Sequence, residues 1–119
     1  MNIENRAILF KSWEHSLKEV IPVHSLDLDY SMINRDNAWR HFSEITLMQF
    51  TGLYGANNER IFEHEIGFDS FHETFGVVVF NEGKFVYKEG NVCHDLVEVC
   101  DDIEIVGNIF ENSDLLQEE

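Results

Sequence analysis

Residues 76–88 read GVVVFNEGKFVYK. Two runs rich in β-branched and aromatic side chains flank Asn81-Glu82-Gly83. Such runs favour a pleated, half-buried surface, and Gly83 suits the left-handed position of a three-residue hairpin loop with a G1 bulge. This segment predicts a β-hairpin and sets the period of the chain around it.

Toward the C-terminus, Asn91 is placed to cap a short helix. Cys93, Leu96, Val97 and Cys100 then fall at i, i+3, i+4 and i+7 on one face. A strand through 96–100 is the rival reading. Residues 103–109 alternate as a strand, with Gly107 marking a bulge or a close backbone approach. Asn112 or Ser113 can cap a last helical turn that lays Leu115 or Leu116 on the core.

Toward the N-terminus, residues 44–52, EITLMQFTG, read as a strand. Ile45, Leu47, Gln49 and Thr51 lie on one side; Thr46, Met48 and Phe50 on the other. Residues 53–60, LYGANNER, form a turn cluster. Strands are also expected over 6–13, 18–23 and 25–30. Residues 34–42 read either as a short helix capped by Asn34 or Asp36, carrying Trp39 and Phe42, or as a loop. Period two dominates, so the fold expected is mainly β with short helices: a small, curved antiparallel sheet or barrel.

At 119 residues, with 44% hydrophobic side chains and ten Phe, the chain is expected to form a single domain over 1–119 with a packed core. No apolar run approaches the ~18 residues of a membrane span, and the first residues lack the pattern of a signal peptide. Two cysteines make no disulfide framework, so a cytoplasmic location is expected.

Eight Lys and Arg against 23 Asp and Glu leave a net charge of −15. Phosphates would be repelled, which argues against direct binding to nucleic acid or an anionic membrane. Simple solubility remains open, and so does a basic partner protein. An acidic decoy occupying a nucleic-acid-binding protein is the sharper form of the second, and acids spread over the whole surface are its plain counterpart.

Phosphate-binding glycine loops and nucleophile elbows are absent from the sequence. The densest chemical stretch is EHEIGFDSFHE, residues 63–73. His64, Glu65, Asp69, His72 and Glu73 offer nitrogen and oxygen ligands to a divalent metal. Their spacing is not that of two histidines on one helical face, and a solvated acidic loop is the plain reading. Cys93 and His94 are neighbours, so in a strand or a helix they diverge and make a poor nucleophile–base pair. Trp13, Trp39 and Phe42 are expected in a core or an oligomer contact. No catalytic residue and no cofactor is assigned.

Several ordered blocks carry a family resemblance. Residues 103–116, IEIVGNIFENSDLL, match a closing pattern of an apolar strand followed by Gly-Asn-Ile-Tyr/Phe-Glu-Asn-Pro-Glu-Leu-Leu. Residues 47–54, LMQFTGLY, match Met-Gln-Tyr/Phe-Thr-Gly-Leu, and 58–66, NERIFEHEI, stand where Gly-Lys-Glu-Ile-Tyr-Glu-Gly-Asp-Ile is found. VVVFNEGKF fits Val-Val-Phe-x-x-Gly-x-Phe. The chain thus resembles the YopX-like family of phage and prophage proteins over 46–119, with 1–45 as a variable part. The resemblance implies a mainly β fold with an SH3-like barrel element, an origin in phages or prophages of bacteria, and some self-association. It carries no activity. His64 takes a glycine's place, where any positive φ would be strained or lost, and Ser113 replaces a proline.

Overall fold

The computed structural model describes residues 6–116. They group into two compact units, Ile8–Gln49 and the chain from Phe50 onward, with residues 6–7 belonging to the second. Each is taken by itself.

In the first unit, β1 (Phe10–Glu14) pairs antiparallel with β2 (Glu19–Pro22) and with the first half of β6 (Ile45–Tyr54). The expected first strand starts later than position 6, and β6 runs two residues beyond its expected end. Glu14 is buried, and its carboxylate accepts the N–H groups of Ser16 (2.9 Å) and Leu17 (3.0 Å), closing the β1–β2 turn. Trp13, Ile33, Ile45 and Met48 are buried here.

A small three-stranded sheet follows: β3 (Leu26–Asp27), β4 (Met32–Ile33) and β5 (Arg40–His41). Residues 25–30 do not form one strand, because the Asp27 carboxylate accepts the N–H of Tyr30 (3.1 Å) and turns the chain. The helix read over 34–42 is also absent. Asn34 and Ala38 adopt left-handed φ of 54° and 52°, which helices do not use. Asn34 is buried instead, accepting from the His24 N–H (2.7 Å) and donating to the Pro22 carbonyl (2.9 Å). A single 3-10 turn, Phe42–Glu44, is closed by a capping box between His41 and Glu44.

The second unit is built on a five-stranded antiparallel sheet that curls into a half-barrel. Its strands are β8 (Glu65–Asp69), β9 (Thr74–Asn81), β10 (Lys84–Glu89), β11 (Val92–Asp95) and β12 (Ile103–Asn108), in the order β11-β10-β9-β8-β12. The end of β6 pairs with β7 (Arg60–Phe62). The mainly β expectation holds.

The 76–88 hairpin is present, but its loop is tighter than expected. Lys84 pairs directly with Asn81, leaving only Glu82 (φ 51°) and Gly83 (φ 83°) in the turn. Two successive left-handed residues make a type I′ turn, whose twist matches the strands.

After β11 the chain makes one α turn, α1 (Leu96–Val99), and a 3-10 turn, Cys100–Asp102. The helix therefore starts after Asp95, not at Asn91, and Cys93 lies exposed in β11 while Leu96 and Cys100 enter the core. Pairing with β10 holds residues 92–95 extended.

The core of this unit is Ile61, Val78, Tyr87, Leu96, Cys100 and Ile103. Tyr87 is its hub. Its hydroxyl donates to the Gly67 carbonyl (2.9 Å), and its ring lies on Gly67 and Gly76, which face each other across β8 and β9. A Cβ on Gly76 would sit 2.4 Å from the ring.

β12 carries its bulge at the expected place, between the pairings of Ile105 and Gly107. Asn108 then accepts the N–H groups of Phe110 and Glu111 (2.9 Å each), and Asn112 accepts that of Asn108 (3.1 Å). A 3-10 turn, Ser113–Leu116, follows with both leucines half-buried. The strand, corner and closing turn are those read from the sequence, although the Asn112 side chain points back to Asn108 rather than capping.

Candidate functional site

The β8–β9 hairpin organises the chemistry of the second unit. Asp69 ends β8 and pairs with Thr74, so residues 70–73 form a four-residue loop. One Asp69 oxygen accepts the N–H groups of Phe71 (2.9 Å) and His72 (3.2 Å). The other lies 2.7 Å from His72 Nδ1. That hydrogen bond holds the Asp69 carboxyl below the usual range and raises the His72 imidazole above its own. The charges of Glu89 and Asp102 also favour protonated His72.

These side chains face a cleft of about 210 Å³, with Tyr87, Glu89, His94 and Asp102 on its walls. His94 Nε2 stands 3.7 Å from Glu89. Burial, above all, keeps the Tyr87 phenol protonated. Two imidazoles and three carboxylates make a surface that favours positive charge.

The sequence candidates separate into two groups. Asp69 and His72 meet. His64 sits elsewhere, in the β7–β8 turn, at φ 73°; its N–H donates to Val78 (2.8 Å) and its ring packs edge-on to Phe110. The positive φ considered for a glycine here is thus kept with an imidazole in its place. Glu65 is buried and accepts the Phe62 N–H (2.6 Å), so it serves the same turn. Glu73 takes a left-handed φ of 56° at the end of the β8–β9 loop. Among the described residues, no group of three or more His, Cys, Asp or Glu is placed to hold a metal ion. The Cys93 and His94 side chains leave β11 on opposite faces, and burial pushes the Cys100 thiol up.

Two features escape sequence reading. Phe71, at the tip of the β8–β9 loop, is 87% exposed. A groove of about 630 Å³ opens in the same unit, with Phe75, Val77, Leu115 and Leu116 as its apolar lining and Lys88 and Thr74 among its polar groups. The Thr74 hydroxyl is buried without a hydrogen-bond partner among the described residues. A phenylalanine inside a loop of Ser, His and Glu was the available signal for the first. The groove has no local signal, because residues about 40 apart line it.

The first unit has its own exposed apolar surface. Trp13 is buried and Phe42 half-buried, but Leu17, Leu28, Tyr30 and Trp39 are each more than half exposed. Ile8, Leu9, Phe10, Val23 and Leu26 line an apolar groove of about 310 Å³. No helix among the described residues is long and apolar enough to cross a membrane.

The family model described as YopX protein matches residues 8–117. The crystal structure of protein EF1440 from Enterococcus faecalis is similar, with a TM-score of 0.73 at 22% identity, covering 95% of this chain and 100% of that one. At that identity the likeness is one of fold. No curated protein matches.

Proposed function

This chain belongs to the YopX protein family, and from that premise we propose that it is a non-catalytic accessory protein of phage or prophage origin that acts by protein–protein contact. The observation that carries this reading is the exposure of large apolar side chains, Leu17, Leu28, Tyr30 and Trp39, within one unit of a chain of net charge −15. A strongly charged protein gains solubility from its acids and loses it to such side chains, unless they are covered in use. The occupants are a second copy of the chain or a basic protein of host or phage, met in the bacterial cytoplasm.

The test removes the apolar side chains. Leu28→Ser with Trp39→Ser should weaken self-association, measured by light scattering across concentration, or partner capture from bacterial lysate, with little change in Tm. A double variant with the mass and partners of the wild type would refute the reading.

A second reading is the acidic decoy. Glu98, Asp101, Asp102 and Glu104 are exposed within seven residues, a local density that supports it. Duplex DNA should then displace a captured basic partner, and salt should release it. A partner held equally in both conditions removes this reading.

A further inference from the structure

The edge strands of the five-stranded sheet are β12 and β11. Such edges present backbone N–H and C=O groups that no neighbouring strand takes up. At β12 the chain covers its own edge. The Ile103 carbonyl accepts the Ala56 N–H (2.8 Å), and the Ile105 N–H donates to the Glu59 carboxylate (3.3 Å). At β11 it does not. Glu89 and Val92 flank the two-residue turn Gly90-Asn91, so they exchange both backbone hydrogen bonds, and the pairs alternate from there. Cys93 and Asp95 therefore direct their backbone groups away from β10. The Asp95 carbonyl opens α1. The Cys93 N–H and C=O and the Asp95 N–H are left over, with no backbone partner among the described residues. Proteins blunt open edges with proline, lysine or a bulge. β11 carries none of these, and Val92 and Cys93 are exposed.

Charge decides what such an edge accepts. Residues 50–119 hold 16 Asp and Glu against three Lys and Arg. On an added strand, a side chain opposite Val92 or His94 shares the His94 face. That face opens on the cleft with Glu89 and Asp102 on its walls, and Asp102 has no ion pair among the described residues. A lysine or arginine is attracted there, and an acidic residue is repelled. A side chain opposite Cys93 lies instead on the face of Lys88, the β10 partner of Cys93. Asp95, on that same face, is already paired with Lys84 (2.5 Å). An apolar residue suits that position.

We propose that β11 takes up an extended segment of a basic protein as a sixth strand of this sheet, with basic and apolar side chains alternating along it. Main-chain bonds to Cys93 and Asp95 hold the segment, and the carboxylates of the cleft select its charge. The proposal rests on the reading that the protein acts by contact with protein, and names one such contact.

A seven-residue peptide of alternating Lys and Val, titrated into the full-length, isotope-labelled chain, tests it by amide NMR. The Cys93 and Asp95 amide signals should shift saturably, and their hydrogen exchange should slow. An analogue N-methylated along its pairing edge loses those hydrogen bonds and should bind at least about tenfold more weakly. A Glu/Val peptide should not bind. Cys93→Pro removes an N–H that faces away from the ladder, so it should abolish binding with the other sheet signals in place, whereas Cys93→Ser should bind as the wild type does. Equal binding of the N-methylated analogue, or shifts centred outside residues 92–95, overturns the edge and leaves the broader reading standing. Absence of Lys/Val binding overturns it as well, and the Leu28/Trp39 experiment then decides the broader reading separately.

Discussion

Single residues in this protein do work that their type alone does not announce. Gly76 is needed because the Tyr87 ring occupies the space of its missing side chain. Gly76→Ala forces the ring or the strand to shift, and overpacking of this kind costs about 1–3 kcal/mol. Urea unfolding should show that loss as a lower midpoint, and an unchanged midpoint would mean that the ring moves freely. Asp69 and His72 make a second case. The folded pKa of His72 is raised above 6.5, so its stabilisation is complete below about 6.5 and is lost as pH rises through the folded value. That of Asp69 is lowered below 3.8, so its stabilisation is present above about 3.8 and is lost as pH falls through the folded value. The pair thus contributes most between those limits. His72→Gln should flatten the Tm profile across this window, and a parallel profile would show that the pair contributes nothing.

At the scale of elements, the central hairpin shows how the backbone overrules residue preference. Its two-residue turn requires left-handed φ at both positions, and Glu82 occupies the first at 51°. Glutamate adopts this conformation at a cost that Asn largely avoids. Glu82→Asn should therefore stabilise the protein by up to about 1 kcal/mol, since Asn-Gly is the favoured pair in this turn. A Tm that falls instead would indicate that the Glu82 side chain has a role the turn geometry does not reveal. His64 presents the same conflict at φ 73°, offset there by its backbone bonds to Val78 and Ile109 and its edge-on contact with Phe110.

For the whole molecule, net charge is the extreme property of the sequence. A net charge of −15 on 119 residues means that copies repel, and so do segments within each copy. Raising the ionic strength from about 10 mM to 1 M shortens the screening length from about 30 Å to 3 Å. Tm should rise over that range, and self-association, where it occurs, should strengthen. Flat behaviour in both would mean that the acids are already offset locally, as Asp69 is by His72 and Asp27 by Arg35.

The sequence by itself determined the β period, the 76–88 hairpin, the strand from Ile45, the bulge at Gly107 and the leucine-bearing turn that closes the chain. These depend on alternation and turn chemistry among neighbours within about ten residues, which side-chain order records directly. The family, too, was legible in a few short blocks. Tertiary structure decided the rest. Asn34 sits in a left-handed turn because its amide bonds His24 and Pro22, ten or more residues away. Asp69 meets His72 and is separated from His64 and Glu65, because the latter two serve the β7–β8 turn. The groove lined by Phe75 and Val77 joins β9 to Leu115 and Leu116 of the closing turn about 40 residues later. Each of these depends on which distant segments come together, and that is set by strand register rather than by local sequence.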